Sequence, residues 1–472
     1  LCLIAFSTIL LGAGVVARAQ CPTVDNLGWA RGATVRFFLD ANMNAEQKRL
    51  ARWALAEWNR AGSVNNARVR FEEDFTGQNF QFRLLNGGLG GNTPAFAQKQ
   101  FTPDGTVVSA TLTYDPNAVF AGTSTLIADP AQPGYEEFVI KITLHEVGHT
   151  MGLDHPAGGD NPCAQPRGAS VMNYICNVND QANNMPLKVT ACDQNSINSM
   201  ARYPAFTQSP NPIDESQFFV RQHYLDFLNR EPDQSGWSFW TNNIEQCGAD
   251  QQCREVMRID TSAAFFLSIE FQQTGFLVHR LYRAALPETA ARPRGLPRYH
   301  EFIRDTQELG RGVVVGQAGW EQRLEANKRL LLADFVARPE FVAAYPQAMN
   351  AAEYVDALNA HAAGVIGGAS VLTQQQRDAL VAGLEANTET RATVLRKVAE
   401  NRVFSDAEKN RAFVLMQYIG YLRRSPIDPP DSTFDGYDFW LAKLDAFDGS
   451  YVDAEMVKAF ITSIEYRRRF GQ

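Results

Sequence analysis

Residues 145–155 read HEVGHTMGLDH, and no other stretch limits the local fold so tightly. His145 and His149 are four apart. On an α-helix at about 100° per residue they lie about 40° apart on one face, one turn from each other. Two imidazoles so placed can grip one metal ion. Glu146 sits beside them and can reach a water on that ion without being a ligand itself. Gly152 can take the positive φ that ends a helix and turns the chain sharply. That turn brings His155 back toward the same ion. The spacing therefore predicts a helix, a glycine bend and a returning ligand. Three neutral nitrogen ligands with one open position are the pattern expected of a catalytic zinc site, not a closed structural one.

The surroundings of this motif bear on where it works. Leu1 to Val16 is almost unbroken apolar and is followed by Ala17-Arg18-Ala19. A short apolar stretch ending in an A-x-A site predicts a signal peptide over 1–19, removed before Gln20. The alternative is an uncleaved anchor, but a bilayer span needs about 20 residues. No later segment is apolar enough to span, so the expected location is secreted or extracellular, with association to a cell surface open. Beyond Cys2 the sequence has Cys21, Cys163, Cys176, Cys192, Cys247 and Cys253. An even number in a secreted chain predicts disulfides. The expected pairs are Cys247–Cys253 and Cys163–Cys176, with Cys21–Cys192 tying down the ends of the first domain. Free buried thiols are the alternative. The formal net charge of −8, from 44 basic and 52 acidic residues, argues against a general nucleic-acid binder.

The 472 residues divide by pattern. Over 34–205, strand and helix signals mix. TVRFFLD (34–40) reads as a strand. Residues 44–60 place Leu50, Trp53, Ala54 and Trp58 on one helical face. Short strands are expected at 67–73, 79–85 and 106–114, with a glycine-rich loop at 86–92. Further helices are expected at about 135–152 and 193–202. The predicted fold class is α+β, a twisted mixed sheet plus long helices, followed by a mostly α-helical region. The stretch 206–216 is polar and proline-bearing and reads as a linker. The domains expected are thus 20–205, the linker, and helical repeats over 217–472.

The motif matches the metzincin metallopeptidase signature H-E-x-x-H-x-x-G-x-x-H. Metzincins also carry a methionine turn, and SVMNY (170–174) resembles it, with Met172 as the methionine under the metal. Tyr174 stands where the astacin and serralysin branches have a tyrosine that reaches the zinc and helps stabilise the tetrahedral intermediate. Pro156 after His155 looks serralysin-like, and 192–204 resembles the last helix of matrixin and serralysin catalytic domains. The glycine-aspartate nonapeptide repeats of serralysins do not occur here, and no histidine precedes His145 for a structural zinc of the matrixin kind. The resemblance implies one catalytic Zn2+ on His145, His149 and His155, Glu146 as general base, and hydrolysis of peptide bonds in extracellular proteins. Peptide substrates would lie along a sheet edge, expected at 94–101. The alternative function is a surface adhesion or binding protein whose metzincin-like domain has little or no activity.

The region 217–472 repeats itself. YLDFLNREPDQSGWSFW (224–240) is echoed over 418–440, and 264–271, 333–341 and 459–466 share a Glu-aromatic ending. The skeleton Arg-x-Pro-Asp-x-x-Gly-x-x-Phe-Trp resembles a bacterial domain of unknown function related to phycobilisome linker modules. It implies a bacterial source and leaves two roles open: attachment to a surface or matrix partner, or a helical scaffold with no separate ligand. EPDQSG (231–236) lacks the alternating acids of a calcium loop. Calcium thus has no motif behind it, and a helix–helix turn with an Arg230–Asp233 ion pair and core Trp237 and Trp240 is expected instead. The run YRRRF (466–470) is expected to be a solvated face.

Overall fold

The computed structural model describes residues 21–62, 65–89, 93–118, 135–156, 170–173, 186–204, 211–290 and 292–470. The expected signal peptide, Cys163, Tyr174 and Cys176 lie outside these residues, as does part of the expected linker. The chain forms two compact units. One takes the described residues of 1–44 and 65–205, the other those of 45–64 and 206–472. It is a mixed α/β chain with a small, mostly parallel sheet and a mostly helical C-terminal region.

The strands of the first unit are β1 (Pro22–Val24), β2 (Gly28–Trp29), β3 (Thr34–Leu39), β4 (Arg70–Glu73), β5 (Phe82–Asn86), β6 (Ala95–Phe101), β7 (Thr106–Tyr114) and β8 (Leu153–Pro156). In β3, Val35, Phe37 and Leu39 are buried while Thr34 and Arg36 are exposed, the period-2 alternation of a strand with one covered face. The main sheet runs β2-β7-β5-β3-β4, every pair parallel. Strand β6 joins antiparallel to β7, from Ala95 opposite Tyr114 to Phe101 opposite Val107. Among the described residues β7 is its only strand partner, so β6 forms an edge. Helix α2 (Tyr135–Thr150) packs against β6, β7 and β8 and is buried almost all round. Glu136 and Glu137 sit in its first turn, where carboxylates complement the helix dipole. Helix α3 (Ala191–Ser199) begins at Thr190, whose side chain accepts from the Asp193 amide while Asp193 caps the Thr190 backbone in return.

Parallel neighbours β3 and β4 need a long crossover. It is helix α1 (Ala45–Gly62), which belongs to the helical unit. Leu50, Trp53, Ala54 and Trp58 are buried as their spacing predicts, but so are Arg49, Glu57 and Arg60. Their partners lie in the helical unit. Arg49 reaches Asp305 of helix Tyr299–Gly310 at 3.4 Å, Glu57 accepts from Arg423, and Arg60 donates to Asn229.

That unit contains the repeats. Helices α4 (Ser216–Phe227), α5 (Gln234–Glu245), α6 (Gln251–Leu267) and α7 (Ile269–Gln273) form the first copy. The second runs from the π-helical turn Gln417–Leu422 through helices Asp435–Ala446, Met456–Thr462 and Ile464–Arg468. In the first copy Arg230 grips Glu270 with two hydrogen bonds of 2.7 and 2.8 Å and lies over the Tyr224 ring. In the second, Arg424 grips Glu465 at 2.6 and 3.1 Å over Tyr418. Glu340, of the remaining Glu-aromatic stretch, accepts from Arg292 at 2.6 Å. The recurring glutamate is therefore an arginine acceptor in every clear copy. Gly236 is required by close approach, since a Cβ there would sit 2.2 Å from the Tyr224 hydroxyl.

The turn at 231–236 is a helix–helix turn, with Asp233 capping α5 and pairing with Arg230 at 3.4 Å. Glu270 is the better partner of Arg230. Trp237 and Trp240 are half-buried rather than core, because α5 leaves one side to solvent. Nor is 466–470 a plain solvated face. Arg467 and Arg469 pair with Asp214 and Asp226, and Phe470 is buried.

Candidate metal centre

Helix α2 ends at Thr150, one residue after His149, and Gly152 then takes φ +90°. The chain then doubles back as β8 and carries His155 toward the helix. A Cβ on Gly152 would lie 2.9 Å from the Leu27 carbonyl oxygen and 3.0 Å from Met200 Cε. Gly152→Ala is therefore expected to destabilise the protein by about 1–3 kcal/mol through backbone strain and to displace His155. Thermal melts and metal titration of the variant check both effects.

The three imidazoles are brought together. Their ligand nitrogens all lie within 4.8 Å of one another. His145 Nδ1 is 3.0 Å from the Val171 carbonyl oxygen and His149 Nδ1 is 2.9 Å from that of Leu153. A carbonyl only accepts, so each Nδ1 carries the proton and each Nε2 keeps its lone pair for a metal. His145 Nε2 and His155 Nε2 stand 3.1 Å apart. Two nitrogens at about 2.0–2.1 Å from a tetrahedral zinc are about 3.3 Å apart. The donor set, three imidazoles on one cleft wall, thus fits a zinc ion and leaves a coordination position for water or substrate. Among the described residues no other group of three such side chains converges this way.

Met172 is fully buried in the turn at 170–173. That turn is anchored by Asp193, which accepts from the Ser170 hydroxyl and, at 3.3 Å, from the Val171 amide. Asp193 thereby fixes the carbonyl that orients His145. It was not singled out in the sequence, although T-x-x-D before a helix is a capping signal. Lys99 was also missed. From edge strand β6 its ammonium donates to the His149 carbonyl at 2.8 Å and to Asp25 at 2.6 Å, a cation at the C-terminal end of the helix that carries His145 and His149. A lysine inside a strand carries no local mark of that role.

Glu146 is buried and lines a cleft of about 590 Å³ together with the three histidines and β6 residues Ala95 to Ala97. Its Oε2 accepts from the Ala97 amide at 2.8 Å. Burial pushes its carboxyl up to about 7, against the pull of that amide. The histidines move the other way. Burial, and then neighbours His149 and His155, push His145 down to about 3; burial and His149 push His155 down to about 4; burial lowers His149.

These shifts set how the metal-free protein responds to acid. A histidine whose folded pKa is below its ordinary 6.5 binds protons more readily in the unfolded chain. Its contribution is present above about 6.5 and is lost as the pH falls toward 4. Glu146 works in the opposite sense, with a contribution present below its ordinary 4.5 and lost as the pH rises through 7. The melting temperature of chelator-treated protein should fall between pH 6.5 and 4. Glu146→Gln, which removes the opposing group, should steepen that fall, and melts across the range test it.

No family model matches the chain, and no curated protein matches it in sequence. Among solved structures, one described as the structure of myroilysin aligns at 14% identity over 39% of this chain and 98% of that one, with a TM-score of 0.24. Nothing is inferred from a likeness of that size. Among the described residues no helix is long and apolar enough to cross a membrane.

Proposed function

We propose that this chain is a secreted zinc-dependent endopeptidase of metzincin type, acting on extracellular proteins. The observation that carries the reading is the convergence of His145, His149 and His155 beside a buried Glu146 in a cleft floored by an edge strand. When bound, zinc supplies a Lewis acid and a water activated near neutral pH. Glu146 takes the proton from the attacking water and delivers it to the leaving amine. Its hydrogen bond to the Ala97 amide holds it beside β6. The edge of β6 aligns an extended peptide by adding it as a strand. The buried Met172 turn holds the His145 ring through Val171.

The test is digestion of casein or gelatin by purified protein, with chelator and after zinc is restored. Cleavage that chelator abolishes and zinc restores is expected. Wild-type protein that held stoichiometric zinc yet cut nothing in a broad peptide library would overturn the reading and favour a binding protein.

A further inference from the structure

His155 does not share the helix that carries the other two histidines. Its strand, β8, is paired along its length with β1, Pro22 opposite Pro156 and Val24 opposite Leu153. The register is irregular between these two pairs, and two further hydrogen bonds tie the strands. The Thr23 hydroxyl donates to the His155 carbonyl at 2.8 Å, and the Asp25 amide donates to the Gly152 carbonyl at 3.1 Å. Strand β1 is itself held at one end by the Cys21–Cys192 disulfide, which joins it to the first turn of α3, and by Ser196, which donates to the Pro22 carbonyl at 2.7 Å. Two strands of three and four residues are too short to stay paired on their own. His145 and His149 are carried by α2 itself, and only their Nδ1 contacts, to the Val171 and Leu153 carbonyls, reach this region, whereas the backbone of His155 lies within it.

We infer that the Cys21–Cys192 disulfide is a positioning lock for the metal site: closed, it seats His155 through β1 and β8; open, it leaves the ion to two histidines and lowers the affinity for zinc. The inference rests on reading the site as zinc-binding. Cys21 is exposed, so the bond is open to thiol–disulfide exchange. Closing it removes two electrons and two protons from the two thiols and reduces a partner disulfide to two thiols; opening it runs in reverse, a dithiol being oxidised to its disulfide. In a reducing compartment, where such bonds do not persist, the chain has its three histidines but not a complete three-ligand site.

The experiment measures zinc affinity by chelator competition, and cobalt coordination by visible absorption, on full-length protein. Cys21→Ser/Cys192→Ser is compared with Cys247→Ser/Cys253→Ser, which opens the disulfide of the helical unit. The first should lose about 10–100-fold in zinc affinity, the scale on which residues supporting a ligand act, and should change the cobalt spectrum. The second should do neither. Thr23→Val keeps the disulfide and removes only the hydroxyl contact to the His155 carbonyl, and should lower affinity by a smaller factor. A folded Cys21→Ser/Cys192→Ser protein with wild-type affinity and spectrum would overturn the inference. If that variant does not fold by circular dichroism, Thr23→Val decides alone, and wild-type affinity and spectrum in it would overturn the inference. A wild-type protein that binds zinc but cleaves nothing overturns the peptidase reading only; one that binds no zinc overturns both.

Discussion

Glu146→Gln is expected to lower kcat on a peptide substrate by about 10²–10⁴-fold, the usual worth of a positioned general base, while bound zinc stays stoichiometric. Glutamine has nearly the same shape, and its side-chain carbonyl can still accept from the Ala97 amide, the contact that holds Glu146 at 2.8 Å. The change therefore removes the base and keeps the wall of the cleft. Because Glu146 is not among the converging nitrogens, zinc content should not follow activity. KM should move little, since the β6 edge is intact. The pH profile is a second readout. The acid limb of kcat/KM in the wild type should vanish from whatever activity remains, because the titrating carboxyl is gone. A variant with more than about a tenth of wild-type kcat would remove Glu146 from the role of base.

Asp305→Ala is expected to cost the helical unit about 3–5 kcal/mol, the range for breaking a buried ion pair from one side. Asp305 is fully buried. It accepts from Arg304 at 2.8 Å, from Arg338 at 2.8 and 2.9 Å, and from the Tyr282 hydroxyl at 2.8 Å, and Arg49 of α1 reaches it at 3.4 Å. Burial raises its carboxyl, yet Arg304 and Arg338 outweigh that and hold it well below the usual carboxylate range. Alanine would leave buried guanidiniums facing one another with their shared acceptor gone. Asp305→Asn keeps the shape and some hydrogen bonds but not the charge, and should fall between. Chemical denaturation of the three proteins orders them. An alanine variant within about 1 kcal/mol of wild type would mean that water replaces the carboxylate there.

What could be read in advance was what local chemistry dictates. The period-2 run at 34–40 became β3, the helical spacing at 44–60 became α1, and β7 fell at 106–114 as its alternation predicts. The helix, bend and return of residues 145–155 follow from spacing and one glycine. Two disulfides, Cys21–Cys192 and Cys247–Cys253, occur as expected, while Cys163 and Cys176 lie outside the described residues. Long-range partners were not legible. Asp193 under the Met172 turn, Lys99 at the end of α2 and Glu270 against Arg230 are ordinary polar residues until folding brings their partners near. The burial of Arg49, Glu57 and Arg60 on α1 is of the same kind. Apolar spacing gives one covered face, while the charged side is covered against distant partners that include Asp305, Asn229 and Arg423.

The placement of α1 also has a consequence in time. A chain is made from its N-terminus, so α1 leaves the ribosome early. Its buried charges must then wait for Asp305, 256 residues after Arg49, and for Arg423, 366 residues after Glu57. Contacts so distant in sequence form slowly, because a long loop must close before they repay it. Through most of synthesis Arg49 and Glu57 lack these partners, and α1 cannot take its final place in the helical unit. A chain stopped after His155 would hold all three converging histidines and never reach that state.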